Sequence, residues 1–132
     1  MKRTLKKSET GRRGEDLALA WLLDRGFRLL DRNWRSGRRE LDLVMESERR
    51  VHIIEVKTLR PPLLVRPYEK VDAVKQGRLI GAARHYIACR QIRKEVQFDV
   101  VSVVLDGTQA DVEYIPEAFF PIWKRNQQMQ TI

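Results

Sequence analysis

Apolar residues recur at two different periods along this chain. Over residues 11–25, Leu17, Ala18, Trp21 and Leu22 fall at helical spacing and Gly26 follows as a stop, which predicts a first helix. Residues 27–33 then read as a strand, with Leu29 and Leu30 among polar neighbours. Residues 41–45 and 51–57 are apolar runs of strand length on either side of the charged stretch 46–50, the pattern of an antiparallel hairpin. Pro61, Pro62 and Pro67 break regular structure and make residues 59–68 a loop. A second helix is expected over residues 69–90, with Val71, Val74, Ile80, Ala83 and Ile87 near one face. Residues 98–105 form a nearly continuous β-branched run that suits a buried strand. Asp106-Gly107 turns that strand, and residues 112–115 pair back on it.

One helix, three strands, a helix and one or two strands make an α/β or α+β sandwich around a mixed sheet. With 132 residues and no repeat, low-complexity tract or linker, the chain is expected to be one domain over residues 11–132, preceded by a flexible basic arm over residues 1–10. Cys89 is the single cysteine, so no internal disulfide forms, and a reducing, cytoplasmic setting is the simplest inference. The first apolar run, residues 17–23, lies between Asp16 and Asp24 and is too short for a signal peptide or a membrane span.

Charge narrows the function. The net charge is +8, and residues 1–40 carry 12 Lys and Arg against 6 Asp and Glu, so most of the excess lies in the first third. Clustered positive charge points to a polyanion, because Lys and Arg on phosphates release condensed counterions and give salt-sensitive affinity. Nucleic acid, DNA first, is the expected partner.

The acids in the hairpin are the stronger signal. Glu40, Asp42 and Glu55 interrupt runs that otherwise read as core. On a strand, residues i and i+2 point the same way, so Glu55 shares a face with Lys57, and Glu40 shares one with Asp42. Asp42 and Glu55 on neighbouring strands converge if they lie at the same end of the sheet, and converging carboxylates need a cation or a proton between them. Hard oxygen donors select Mg²⁺ or Mn²⁺, whereas His52 and His85 are too few and too scattered for zinc. Lys57 beside such a pair suits charge stabilisation on a phosphate under attack, or orientation of a water, and the chemistry expected is phosphodiester hydrolysis. Taken alone, Glu-x-Lys is also what a surface ion pair on an edge strand would look like.

An acid in the second strand and Glu-x-Lys in the third resemble the PD-(D/E)xK nuclease superfamily, with its restriction-endonuclease-like fold. The stretches Gly11-Arg12-Arg13-Gly14-Glu15-Asp16-Leu17-Ala18, Asn33-Trp34-Arg35, Glu40-Leu41-Asp42-Leu43 and Glu55-Val56-Lys57-Thr58 are, more narrowly, similar to the YraN-type family of bacterial endonuclease-like proteins. Likeness continues through Lys75-Gln76-Gly77-Arg78-Leu79 and Phe98-Asp99-Val100-Val101, and so covers roughly residues 11–105. Arg39 stands where that family commonly has glycine, and Leu41 where the superfamily has proline. The resemblance implies Asp42 and Glu55 as metal ligands, the Val56 carbonyl as a third, Lys57 as the catalytic lysine and Glu15 as a helix-borne acid at the edge of the site. It also implies a fold similar to that of archaeal Holliday junction resolvases. DNA as substrate, with branched and single-stranded forms among the candidates, belongs to the leading functional reading rather than to the resemblance.

Arg12, Arg13, Arg35, Arg38, Arg39, Lys75 and Arg78 are the candidates for phosphate contacts, with a solvated helix face as the plainer account of Lys75 and Arg78. Glu15 also suits the positive end of a helix dipole. Trp34 is either core or a platform for an exposed base, and Trp21 is core. No histidine is placed to activate Ser102, and residues 77–81 lack the ending of a phosphate loop. Three readings remain: a metal-dependent nuclease, a nucleic-acid-binding module that keeps the fold without efficient catalysis, and a protein-interaction factor. Oligomeric state is left open, a two-fold dimer being the arrangement expected of a nuclease that cuts both strands symmetrically.

Overall fold

The computed structural model describes residues 8–62 and 71–121. Ser8 caps the first helix, α1 (Glu9–Asp24), by accepting the Gly11 N–H, so Glu9 and Thr10 are helical rather than part of an arm. The stop is at Gly26, whose φ of +94° is open to glycine at no steric cost. Two strands follow, β1 (Arg28–Ser36) and β2 (Arg39–Glu46), and then β3 (Arg50–Leu59), which extends two residues beyond the run read from the sequence. The second helix, α2 (Ala73–Arg90), begins after its cap Asp72, four residues later than expected; residues 63–70 lie outside the described residues. It is followed by β4 (Glu95–Asp106) and β5 (Gln109–Phe119), both longer than their apolar runs. Residues 1–7 of the expected arm also lie outside the described residues.

The five strands form one mixed sheet in the order β1-β2-β3-β4-β5. Only β3 and β4 are parallel, and α2 is the crossover between them, as a parallel pair requires. The fold is α+β. On one face, Ala18 and Leu22 of α1 pack with Leu43, Met45, Ile54, Val101, Val103 and Leu105. On the other, Leu79, Ile80, Ala82, Ala83 and Tyr86 of α2 pack with Val51, Ile53, Phe98 and Val100. Gly14 lets α1 lie close against β3, since a methyl group there would collide with the Thr58 side chain.

Some expected core positions lie elsewhere. Val74, in the first turn of α2, is 67% exposed because the buried face starts only at Leu79. Trp21 is half-buried, its ring 5.6 Å from Tyr114 and covered outside by the Arg25 guanidinium at 3.5 Å. Trp34 is half-buried with its edge on Tyr86, so it packs as core. Among the described residues no helix is long and apolar enough to cross a membrane.

Candidate functional site

Strands β2 and β3 pair from the hairpin turn as far as Leu43 and Ile54, and there their ladder ends. One further step in that register sets Asp42 against Glu55. Beyond it, β2 continues on β1 through Trp34–Leu41 to Ser36–Arg39, and β3 continues on β4 to Leu59–Val104. The two acids therefore stand at a fork where neighbouring strands part. Asp42 Oδ2 accepts the Val56 N–H at 2.9 Å, which satisfies a backbone donor that the ended ladder would have left without a rung.

A slip in β2 sets this geometry. Leu43 packs with α1, yet Leu41, two residues away, packs with α2, so alternation breaks at Asp42. Across the sheet the break coincides with Asn33, between the Arg32–Leu43 and Trp34–Leu41 pairs, whose φ is +52°. Asparagine tolerates this left-handed conformation better than most residues. Strand β3 has no such break: Val51 and Ile53 face α2, Ile54 and Val56 face α1, and Glu55 points to the α2 side, where it meets Lys75.

The fork opens into a cleft of about 300 Å³ with Asp42, Glu55 and Val56 at its base and Glu40 beside them. Its rim is basic. Arg38 comes from the β1–β2 connection and Arg39 from the start of β2, Lys75 and Arg78 from the first two turns of α2. The Arg39 guanidinium lies over Gly81, where a methyl group would come within 3.0 Å of it. Lys75 Nζ is 3.1 Å from Glu55 Oε2. Burial, and after it the neighbouring Asp42 carboxylate, push the Glu55 carboxyl up to about 7 against the pull of Lys75.

Four of the seven candidate phosphate contacts thus gather around the two proposed ligands, and the other residues take separate places. Lys57 is half-buried beside Ser102 of β4 and does not line the cleft. Arg35 is 3.6 Å from Glu40 at the edge. Arg12 is exposed on α1, and Arg13 reaches the Gly107 carbonyl at 3.4 Å in a second pocket with Arg60 and Asp106. Glu15, 2% exposed on α1, accepts from Arg32 Nε at 3.3 Å and from Asn33 Nδ2 at 3.1 Å. Asn33 Nδ2 also donates to Glu40 Oε2 at 3.1 Å, so one amide ties the helix acid to an acid of the cleft. Sequence reasoning gave Asn33 no role, because the strand was expected to end there, whereas β1 runs on to Ser36.

Two carboxylates and a main-chain segment fit a hard divalent ion, because Mg²⁺ is ordinarily held by one or two carboxylates with waters and substrate phosphates completing the shell. Among the described residues no group of three His, Cys, Asp or Glu is placed to hold an ion, so any such ion would depend on Asp42, Glu55, the Val56 carbonyl and ligands from solvent or substrate. Zinc would find no histidine or cysteine among the residues lining this cleft, since His52 is held by Asp99 and His85 contacts Ser36.

A second polar cluster was missed in the sequence. Asp99, 1% exposed, accepts from His52 Nδ1 at 2.8 Å, Tyr114 Oη at 2.7 Å, Gln97 Nε2 at 2.9 Å and the Glu117 amide at 2.9 Å. On its other side, His52 Nε2 meets Ser47 Oγ at 2.8 Å. The acid fills the irregularity in β4–β5 pairing between Phe98 and Val100, where Glu117 has a φ of +50°. An aspartate inside a run expected to be wholly buried was the visible sign of a partner.

A sequence model of the uncharacterised protein family UPF0102 matches residues 14–103, a stretch that holds both fork acids, Lys57 and the rim residues of α2. Similar proteins, each called a UPF0102 protein, occur in several bacteria. One from Porphyromonas gingivalis is 41% identical over 91% of this chain and 90% of its own length. Another from Bacteroides thetaiotaomicron is 39% identical over 86% of this chain and 94% of its own, and one from Syntrophotalea carbinolica is 40% identical over 88% and 95%. By these matches, which span nearly the whole of each relative, the chain belongs to the uncharacterised protein family UPF0102.

Proposed function

We propose that the protein is a metal-dependent nuclease of the PD-(D/E)xK superfamily, with a restriction-endonuclease-like fold, that hydrolyses phosphodiester bonds in branched or single-stranded DNA. One observation carries the reading: Asp42 and Glu55 are opposed at the strand fork, at the base of a cleft rimmed by Arg38, Arg39, Lys75 and Arg78. Acids at the base and cations at the rim are what a phosphodiester with a divalent ion demands, and an ordinary surface cleft has no use for the buried acids.

In this reading Asp42, Glu55 and the Val56 carbonyl hold Mg²⁺ or Mn²⁺, and the Asp42 bond to the Val56 amide fixes both groups before substrate arrives. When bound, the ion supplies Lewis-acid polarisation of the phosphate. Lys57, on the Glu55 face of β3, stabilises the charge that builds on the phosphate as a water oxygen bonds to phosphorus, the ester P–O bond breaks and the leaving oxygen takes a proton. Arg38, Arg39 and Arg78 hold flanking phosphates without reading bases. Glu15 is a positioning residue that acts through Asn33 on Glu40 and the slip in β2. A cytoplasmic setting, the expectation from the single cysteine, agrees with DNA as substrate.

A second reading, a binding module with the same fold and without efficient catalysis, is favoured by the ion pair between Lys75 and Glu55 and by the placement of Lys57 outside the cleft lining. Purified protein with Mg²⁺ or Mn²⁺ on a panel of DNA junctions, flaps, duplexes and single strands separates the two. Cleavage of at least one substrate that is lost in Lys57→Ala, with binding retained, supports the nuclease. Binding to the same panel with no cleavage by wild type refutes it in favour of the module.

A further inference from the structure

Lys75 stands where helix electrostatics do not want it. It is the third residue of α2 after the cap Asp72, the position at which a capping box places Glu or Gln, and it lies at the positive end of the helix dipole. No acidic residue occupies that first turn. The cap Asp72 offsets that charge only in part, and a local rule broken in this way points to a role elsewhere. That role is visible across the cleft, where Nζ lies 3.1 Å from Glu55 Oε2 and the Glu55 side chain is 13% exposed.

The backbone of Lys75 is held on both sides, while its long side chain is half exposed. Its N–H is held by Asp72 Oδ1 at 2.8 Å, and Gln76 Nε2 ties the same turn to the Val71 carbonyl at 2.7 Å. The side chain itself is 47% exposed, on a four-carbon stem with several rotatable bonds. Two facing carboxylates need a cation or a proton between them, and a divalent ion from solution is there only part of the time. A tethered ammonium answers that need, and being a compact monovalent charge it yields to a divalent one.

We propose that the Lys75 ammonium is the resident counter-cation of the fork, holding Glu55 while no divalent ion is bound and releasing it when one binds. The proposal rests on the metal reading of Asp42 and Glu55. It makes Lys75 a competitor for the site rather than a helper in ion binding, which a mere surface contact would not be.

The test is Mn²⁺ binding by calorimetry to the full chain without DNA, comparing wild type with Lys75→Met and Lys75→Arg. Lys75→Met, which keeps the stem and removes the charge, should bind Mn²⁺ about tenfold tighter, the factor carried by 1.36 kcal/mol. Lys75→Arg should bind it a few-fold more weakly than wild type, because a planar guanidinium grips a carboxylate with two hydrogen bonds. In chelator, Lys75→Met should melt lower than wild type and gain more from added Mn²⁺. Equal Mn²⁺ affinity in all three proteins overturns the counter-cation and leaves the metal reading standing. No Mn²⁺ binding by any of them overturns both.

Discussion

Near the start of β3, His52 meets Asp99; three residues on, at the middle of the strand, Glu55 meets Asp42. The first pair is buried with every demand met. Asp99 takes four donors, and burial with the adjacent carboxylate raises the Tyr114 phenol above its ordinary pKa, so that it remains a donor. The second pair sets like charges face to face at an open fork, with one flexible lysine against them. A buried acid with its complement of hydrogen bonds makes structure, whereas two opposed acids beside a cleft carry a cost that folding alone does not explain. The family match covers both pairs and does not by itself tell them apart.

Substitutions that remove an acid from each pair should therefore have opposite consequences. Asp42→Asn keeps an acceptor for the Val56 amide and removes a ligand, so DNA cleavage should fall by about 10³-fold or more with the melting temperature unchanged or raised. Single-turnover cleavage and calorimetry measure the two quantities, and a marked loss of stability would erase the contrast. Asp99→Ala should act the other way. Leaving His52, Tyr114 and the Glu117 amide without their acceptor should destabilise by about 3 kcal/mol in urea unfolding while Mn²⁺ affinity changes little.

Glu55 gives the contrast a pH signature. Its folded pKa of about 7 lies above the ordinary 4.5, so the folded state binds that proton more tightly than the unfolded state does. The sign follows: stability is greatest near and below pH 4.5 from this group, and falls as pH rises towards 7, by on the order of 2 to 3 kcal/mol at 1.36 kcal/mol per unit. Glu55→Gln should flatten that slope and be the more stable protein at pH 8, as urea midpoints at several pH values would register. A wild-type slope unchanged by the substitution would mean that the fork is not strained. The smallest effect belongs to the rim: Arg78→Ala should lower the slope of log affinity against log salt by about one, with no change in stability.

What was legible in the sequence is what depends on neighbours along the chain. Alternation and apolar runs located the hairpin, and the acids at 40, 42 and 55 stood out because they interrupt runs that burial would otherwise fill. The order of helices and strands implied a mixed sheet, and the parallel β3–β4 pair joined by α2 is where that mixture lies. What stayed hidden depends on other strands. The alternation slip at Asp42 coincides with a left-handed Asn33 on β1, the pairing of Lys75 with Glu55 spans the α2 crossover, and Asp99 finds His52 only once β3 and β4 are parallel. Val74 misled because helical spacing says which side a residue lies on, but not where along the helix the contact with the sheet begins.

The central claim is that Asp42 and Glu55 are opposed in order to share an ion, and crystals soaked in Mn²⁺ test it with no knowledge of the substrate. Anomalous density should appear between the two carboxylates, within about 2.0 to 2.3 Å of an oxygen of each, with Lys75 swung away from Glu55. A soaked crystal with no density at the fork and the Lys75–Glu55 pair intact would contradict the account, and would leave the cleft as a basic surface with acids that serve structure alone.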